Sequence, residues 1–483
     1  MNRRALPVAL LTLGGWILAC AAGPPEEGDD RSLEGDPGTD DDPDDDYCGY
    51  TGAIVADEAR GAGLVMLTEL PADCADIQAS TPTFKTLFSV DPERDGPEGL
   101  ADLDGHDTVR VLPMDAGVVV LSEVDGAHRL QLLDPSGGVR WTHETDRALE
   151  NSRVSPGGTL LLSERDPSGS VGNGGGQAVF VFDPAGGGVQ QVSNGAEVTT
   201  AGWLGTDDRL VVATHVEDGP STTVRVYDLS SGIAGGLPQP ELVETIEGLR
   251  HADGGILPPT ASDVGAARIA LPVRAPVEDT VYAESLLVVD ADLGELMVVP
   301  AVGGPPAWPR QGESLMGADP FEGLLIKVDP SDGSLLDAVE SPFNELDYAL
   351  TPVNQNVLVG VSDGEVVLRL LRARPFTLTT LGDRALALGA LAWTVEGGDE
   401  VAWGLSDGLV RVSLSDAAVD DVALDFEPGA VASLGPDGPL LIGDRGPARV
   451  VVRTTDGVET AAFGFPRAPW ARWDDDVPTI LGE

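Results

Sequence analysis

Alternating apolar and polar positions recur along the chain and predict short β-strands joined by tight turns. In the segment QAVFVFDPAGGGVQQV at 177–192, the pattern predicts a strand over Val179–Phe182, a turn over Asp183–Gly188 and a second strand from Val189. The β-branched and aromatic residues of this segment suit a pleated sheet, and its Asp-Pro-Ala-Gly-Gly run reverses the chain. Similar hairpins are found at 87–96, 130–139, 224–233, 286–296, 325–335, 367–376, 410–419 and 450–459.

The spacing of these turns predicts a structural repeat. Most successive turns lie roughly 40–50 residues apart, which is the period of one four-stranded blade of a β-propeller. No long stretch shows helical periodicity, and the 61 glycines and 37 prolines would interrupt a helix. We therefore predict an all-β fold in which residues 47–483 form a single closed β-propeller, because each blade needs its neighbours to bury its faces.

The repeat units predict eight blades, with seven as the alternative count. The eight units span 107–146, 151–193, 198–247, 251–300, 305–340, 346–381, 390–424 and 430–464. The unit at 251–300 carries a longer insertion, and the unit at 305–340 is the least regular. Residues 50–100 hold either a ninth unit or a pair of strands that closes the ring, since closure between the chain ends removes free sheet edges.

The first residues have the features of a secretory signal. Arg3 and Arg4 precede an apolar stretch over Ala5–Leu18, which is too short for a comfortable membrane-spanning helix. The stretch leads into an Ile-Leu-Ala-Cys sequence that resembles the lipobox of bacterial lipoproteins. The resemblance implies that residues 1–19 are a signal peptide and that Cys20 is the lipidated N-terminus, anchored in the outer membrane and facing the periplasm or the cell surface. An ordinary signal peptide with a chance cysteine is the alternative.

Residues 20–46 predict a disordered, acidic linker between the lipid anchor and the folded domain. Leu33 is the only large apolar residue between positions 21 and 46, so this segment cannot bury enough surface to offset its ordering entropy. The whole chain has a formal net charge of −51, from 80 acidic and 29 basic residues. This charge indicates a solvated acidic surface, with cation binding as the alternative. It argues against nucleic-acid partners, because their phosphates would be repelled.

The cysteines divide into one lipidation candidate and one pair. Once Cys20 is assigned to the lipoprotein motif, Cys48 and Cys74 are the only cysteines left. An exported protein with one disulfide has this pattern, so we predict a bond between Cys48 and Cys74.

The repeat units resemble the broad class of propellers with WD-, YVTN- and PQQ-type repeats. The segment LQLLDPSGGVRW at 130–141 is similar to a PQQ-type repeat, in which an aspartate, a turn glycine and a docking tryptophan follow one another. Asp134, Gly138 and Trp141 occupy those positions here, with a spacing that is one residue short. The resemblance implies the same fold as the repeat spacing does.

The segment DPERDGPEGLAD at 91–102 resembles a calcium-binding loop of the EF-hand type. Asp91, Glu93 and Asp95 fill its first, third and fifth positions, and Asp102 stands in place of the bidentate glutamate. Ca²⁺ is bound in proteins by closely spaced carboxylate and carbonyl oxygens. The resemblance therefore implies a Ca²⁺ site at this loop, and a chance cluster in an acidic chain is the alternative.

Recognisable catalytic motifs are scarce. The five histidines are scattered without metal-ligand spacing, and neither a GxSxG nor an HExxH motif occurs. We predict no catalytic residues and favour a lipid-anchored, non-catalytic binding or scaffold module that holds a protein partner on one face of the propeller. Two alternatives stay open: a propeller enzyme of the lactonase or quinoprotein type with its site at the central channel, and a mainly structural surface protein.

Overall fold

A computed structural model of the protein describes most of the segments in which the repeat units fall. The described residues are 47–71, 84–94, 96–146, 148–155, 158–165, 177–183, 188–193, 198–204, 208–215, 221–251, 255–256, 268–278, 281–300, 302–307, 314–319, 323–340, 346–350, 356–361, 369–373, 376–380, 386, 391–406, 408–444 and 449–465. All helical or strand structure in them is β-strand, which confirms the all-β prediction for this part of the chain. Among these residues no helix is long and apolar enough to cross a membrane.

Within the described residues, the strands form nine sheets, each with four antiparallel strands, which we number 1 to 9 along the chain. Sheet 1 contains β1 (Tyr47–Asp57), β2 (Ala62–Pro71), β3 (Phe84–Val90) and β4 (Glu98–Asp102). Sheet 2 contains β5 (His106–Met114), β6 (Gly117–Val124), β7 (Ala127–Leu133) and β8 (Val139–Thr145). Sheet 3 contains β9 (Ala148–Val154), β10 (Leu160–Arg165), β11 (Gln177–Asp183) and β12 (Gly188–Gln191).

Sheets 4 and 5 exchange a short strand. Sheet 4 contains β13 (Val198–Leu204), β14 (Arg209–His215), β15 (Ser221–Asp228) and β16 (Leu242–Glu247). Sheet 5 contains β17 (Arg250–His251), β19 (Arg268–Glu278), β20 (Val281–Asp290) and β21 (Glu295–Val299). The insertion between β17 and β19 carries β18 (Gly255–Ile256), which joins sheet 4 as a fifth strand parallel to β13.

The last four sheets repeat the four-strand order. Sheet 6 contains β22 (Gly303–Ala307), β23 (Leu315–Asp319), β24 (Leu324–Val328) and β25 (Leu335–Glu340). Sheet 7 contains β26 (Leu346–Leu350), β27 (Asn356–Val361), β28 (Arg369–Ala373) and β29 (Phe376–Thr380). Sheet 8 contains β30 (Ala392–Glu396), β31 (Asp399–Leu405), β32 (Leu409–Ser413) and β33 (Ala418–Val422). Sheet 9 contains β34 (Pro428–Ser433), β35 (Leu440–Asp444), β36 (Arg449–Arg453) and β37 (Glu459–Gly464).

The sheets correspond closely to the predicted repeat units. Sheets 2 to 9 coincide with the eight predicted units. Of the two alternatives for residues 50–100, a ninth unit or a pair of strands, the structure has a four-stranded sheet, sheet 1. The described residues therefore contain one sheet more than the predicted eight blades and two more than the alternative of seven. The arrangement of successive four-stranded antiparallel sheets is that of propeller blades. Closure of all of them into one ring, and a single domain over 47–483, stay predictions.

Burial differs systematically between the strands of a sheet. The second strands are almost fully buried: the first six residues of β6 and most residues of β14 and β31 are buried. The fourth strands are mostly exposed or half-buried, as in β8, β16, β25 and β33. The fourth strand is therefore the solvent-exposed edge of each of these sheets, and we call it the outer strand.

The described residues group into two compact units. The first unit contains the described residues up to Arg110 and those from Leu424 onward, and the second contains those within Val111–Ala423. In the first unit, sheet 9 packs against sheet 1, and β1 lies beside β34. A Cβ on Gly63 in sheet 1 would lie 2.1 Å from Leu441 Cδ1 in sheet 9, so a glycine permits this close packing. The buried residues of the shared core are Val65, Leu67, Phe88, Val90, Leu441, Val450, Val452, Phe463 and Phe465.

In the second unit, neighbouring sheets pack face to face through apolar cores. Leu121 and Leu132 of sheet 2 pack with Leu162 and Phe182 of sheet 3. Equivalent clusters join sheets 3 and 4 at Val181 and Val212, sheets 4 and 5 at Val226 and Ile269, sheets 5 and 6 at Val288 and Ile326, and sheets 7 and 8 at Leu370 and Val410. Burial of both faces of a sheet explains why the second strands read as continuous apolar runs.

Candidate functional site

An aspartate caps the turn between the third and the outer strand in several sheets. In sheet 2, Asp134 Oδ1 accepts hydrogen bonds from Ser136 N at 2.9 Å, Ser136 Oγ at 2.6 Å and Gly138 N at 3.0 Å. In sheet 6, Asp329 Oδ1 accepts from Ser331 N at 2.8 Å and Ser331 Oγ at 2.5 Å. The donors around Asp134 stabilise its ionised form and hold the pKa of this carboxyl below its ordinary value. The predicted turn chemistry therefore takes the form of rigid, negatively charged loops.

The turn at 130–141 shows what the aspartate, glycine and tryptophan of the repeat do. A Cβ on Gly138 would lie 2.9 Å from Asp134 Oδ2, so the turn leaves little room for a larger residue. Trp141, on outer strand β8, packs edge-on against Phe182 of sheet 3 with ring centroids 5.3 Å apart, and His143 packs against the same ring at 5.4 Å. Asp134 therefore caps the turn, Gly138 permits its close geometry, and Trp141 attaches the outer strand to sheet 3.

Turns of neighbouring sheets touch each other within the second unit. Ser155 Oγ, in sheet 3, donates a hydrogen bond to Asp208 Oδ1, in sheet 4, at 2.7 Å. Arg209 of sheet 4 forms an ion pair with Asp292, in the last turn of sheet 5, at 2.8 Å. Because the first and third hairpins of an antiparallel sheet lie at the same end, these contacts connect one end of sheets 3, 4 and 5 into a continuous edge.

Exposed large apolar side chains gather on the outer strands. In the described residues they fall on an outer strand or in the turn just before it: Val139, Val243, Leu293, Leu335, Leu336 and Val458. The two leucines are adjacent in β25, the outer strand of sheet 6, and are 61% and 49% exposed. Five of the six residues of β25 are exposed. This strand therefore presents the most open apolar edge among the outer strands whose burial is described.

The candidate Ca²⁺ loop follows β3. Glu93 N donates a hydrogen bond to Asp91 Oδ1 at 2.9 Å, and Arg94 Nε lies 3.3 Å from Asp91 Oδ2 in an ion pair. Asp102 ends β4, and its Oδ1 accepts a hydrogen bond from the backbone two residues later at 2.9 Å. Asp95 lies outside the described residues. In the part of the chain that the structure describes, no group of three His, Cys, Asp or Glu residues is placed to hold a metal ion. The Ca²⁺ site stays a prediction.

The predicted anchor and disulfide fall largely outside the described residues. The signal peptide at 1–19, Cys20 and the linker at 20–46 all precede the first described residue, Tyr47. Cys48 lies near the start of β1, but Cys74 is not described. Both the lipidation of Cys20 and the Cys48–Cys74 bond therefore stay predictions.

The structure also contains a buried lysine that the sequence analysis did not single out. Lys85, at the start of β3, is 8% exposed, and its Nζ donates a hydrogen bond to the backbone carbonyl oxygen of His106. Lys85 N donates to Asp104 Oδ1 at 2.6 Å. Burial lowers the pKa of Lys85 and raises that of Asp104. These contacts hold the connection between sheet 1 and β5 in place. The sequence signal for the buried lysine is a single lysine within an otherwise largely apolar strand.

No protein-family model and no curated protein matches the sequence. Among solved structures, a chain of the mitotic checkpoint complex is 14% identical, with a TM-score of 0.36 over 61% of this chain and 83% of that chain. Puromycin hydrolase (S511A mutant complexed with PGG) is 13% identical, with a TM-score of 0.39 over 84% of this chain and 58% of that chain. TolB from Acinetobacter baumannii is 12% identical, with a TM-score of 0.32 over 64% and 77%. At these scores the similarities assign no ligand and no activity to this chain.

Proposed function

We propose that the protein is a lipid-anchored, extracytoplasmic β-propeller that binds a protein partner without catalysing a reaction. The observation that carries the proposal is the concentration of exposed apolar side chains on the outer strands and their turns. Of these side chains, Leu335 and Leu336 are adjacent, and neighbouring exposed apolar side chains rimmed by polar residues are typical of protein interaction sites. The turns capped by Asp134 and Asp329 precede outer strands β8 and β25 and place negative charge next to them, which favours a partner of complementary charge.

The anchor is part of the same proposal. The lipobox-like sequence ending at Cys20 and the acidic linker up to residue 46 support a domain held at a distance from the outer membrane. Like charges keep such a linker extended, so a tethered propeller reaches a partner in the periplasm or at the cell surface. Fractionation tests this point: Cys20→Ala should move the chain from the membrane fraction to the soluble fraction.

We further propose that the nine sheets are the blades of one closed propeller. The packing of the last sheet on the first within one compact unit supports this, since closure requires the two chain ends to meet. Truncation after residue 345 should give an aggregated fragment, because it removes sheets that bury the faces of their neighbours. A soluble fragment that unfolds cooperatively would contradict the single ring.

In-cell photo-crosslinking tests the binding function. A photoreactive amino acid is placed at Val139, Val243 or Leu335, one position per variant, in the full-length chain in its native host. A discrete adduct with another protein from at least one position is expected. A photoreactive residue at buried Val211 serves as the matched control and should give no intermolecular adduct. Absence of an adduct from every exposed position would refute a protein-binding role for the outer strands.

A further inference from the structure

We propose that outer strand β25 is a docking edge for an extended, cationic segment of a protein partner, which adds to sheet 6 as a further strand. The proposal rests on the binding function above and specifies the surface and the chemistry of the partner. Strand addition uses main-chain hydrogen bonds for affinity and side-chain contacts for specificity.

One side of the β25 backbone has no hydrogen-bonded strand among the described residues. β25 is the last strand of sheet 6 and pairs with β24, while outer strand β29 of sheet 7 lies close to it without pairing. An edge strand of this kind presents a row of unpaired N–H and C=O groups to any extended segment that approaches. The geometry therefore favours a partner in strand conformation.

A β-bulge exposes two leucines on this edge. The register passes from Lys327↔Asp337 to Val328↔Leu335, which leaves Leu336 as the extra residue of the strand. A bulge re-aims the side chains around it. Leu335 and Leu336 are consecutive and both are exposed, and because the bulge interrupts the regular alternation of side chains, an added strand would find both leucines on the same face of the edge.

The charge around β25 selects a cationic partner. Residues 331–340 contain Asp332, Asp337 and Glu340, and among the residues of β24 that pair with β25 there is one basic side chain, Lys327 opposite Asp337. The acidic linker of the same chain carries 12 acidic residues and one arginine between 21 and 46, so it would be repelled from this edge. A second copy of the chain, with a formal net charge of −51, would be repelled as well. In a segment that alternates apolar and basic residues, the apolar side chains can pack on the two leucines and the basic side chains can form ion pairs with the carboxylates.

Peptide binding to the full chain tests the proposal. The probe is a fluorescein-labelled seven-residue peptide that alternates Lys and Val, compared with a Glu/Val peptide and with a Lys/Val peptide N-methylated at alternate residues. Fluorescence anisotropy should show binding of the Lys/Val peptide alone. The double variant Leu335→Ser/Leu336→Ser should weaken it about tenfold or more. Thr142→Ser, which removes a methyl group from an exposed position on outer strand β8, is the control and should leave binding within about twofold.

Several outcomes would overturn the docking edge. Equal binding by the double leucine variant, equal binding of the N-methylated peptide, or no binding of the Lys/Val peptide each excludes strand addition at β25. Circular dichroism of the double variant should match that of the parent, so that weaker binding is not a loss of fold. If these tests fail while a photo-crosslinked partner is still captured, the binding function stands and only its placement at β25 is wrong.

Discussion

Replacing Phe465 with alanine should destabilise the unit formed by sheets 1 and 9 by about 3 kcal/mol. Phe465 directly follows β37, and its ring centroid lies 5.0 Å from that of Phe88 in sheet 1, at an interplanar angle of 59°. The two side chains are 6% and 2% exposed. Because they come from the last and the first sheet, their contact joins the two ends of the folded chain.

The magnitude follows from burial and packing. Truncation of a phenylalanine buried to this extent removes its transfer free energy and leaves a cavity, which together cost about 3–5 kcal/mol. The tilted ring pair contributes about 0.5–1.5 kcal/mol that depends on both rings. Phe465 lies just beyond its strand, where the backbone relaxes more easily than in the middle of a sheet. We therefore expect a value near the lower end of the range.

Urea-induced unfolding followed by tryptophan fluorescence measures the effect. Val458→Ala is the matched control, because Val458 is exposed on the same hairpin and its truncation should change the free energy of unfolding by less than about 0.5 kcal/mol. The double variant Phe88→Ala/Phe465→Ala should cost less than the sum of the single variants by at least about 0.5 kcal/mol. Strictly additive effects, or a Phe465→Ala variant as stable as the control, would refute energetic coupling between the first and last sheets.

Three further predictions concern single sites. Gly117→Ala should lower stability by more than about 1 kcal/mol, because a Cβ there would lie 2.0 Å from a backbone oxygen of β7 and φ is 154°. Ser136→Ala should raise the pKa of Asp134 in an NMR titration, since the hydroxyl is the leading cause of its depression. The native pKa is depressed, so the stability that Asp134 contributes is present above the ordinary pKa of 3.8 and lost as pH falls through the native pKa. Non-reducing mass spectrometry should show Cys48 linked to Cys74, a bond that stabilises by about 3 kcal/mol.

Each of these predictions has a control or a contrary result. Gly235→Ala adds a Cβ with nothing within 4 Å, and an equal loss of stability there would remove the steric argument for Gly117. An unchanged pKa of Asp134 in the Ser136→Ala variant would show that the backbone N–H donors alone depress this pKa. Two free thiols in the purified, exported protein would exclude the disulfide.

The sequence predicted the strands and turns well because their signals are local. Alternation of side chains defines a strand, and the Asp-Pro-Ser-Gly run at Asp134 specifies a turn whose hydrogen bonds close within a few residues. Sheets 2 to 9 were therefore located from pattern alone. The unit at 305–340 has the weakest sequence pattern because its first strand, β22, is irregular. β22 contains two prolines, and its register shifts between Gly303 and Ala307.

Features that depend on distant pairing were not predictable in this way. The sequence predicts an insertion in the unit at 251–300, but the pairing of this insertion with β13 joins residues as far apart as Thr200 and Gly255 over only two positions. The contact of Lys85 with the carbonyl oxygen of His106 likewise depends on how β3 meets the start of the next sheet. Neither contact leaves a periodic signal, because each uses one or two residues whose partners are set by the fold.

Among the outer strands, the differences in edge protection explain why the docking proposal concerns β25. In β8, Glu144 forms an ion pair with Arg129 of β7 at 2.7 Å. In β33, Asp420 forms an ion pair with Arg411 of β32 at 3.4 Å. β8 half-buries alternate side chains, and β33 half-buries Ala418, Val419 and Val422, so that polar or charged side chains dominate the exposed part of both strands and discourage further pairing. β25 instead places two leucines in solvent beside a bulge and half-buries only Val339. A bulge disfavours pairing with a flat, uniform edge and re-aims the side chains beside it, here Leu335 and Leu336. The same irregularity that protects the edge from random aggregation therefore favours a specific partner.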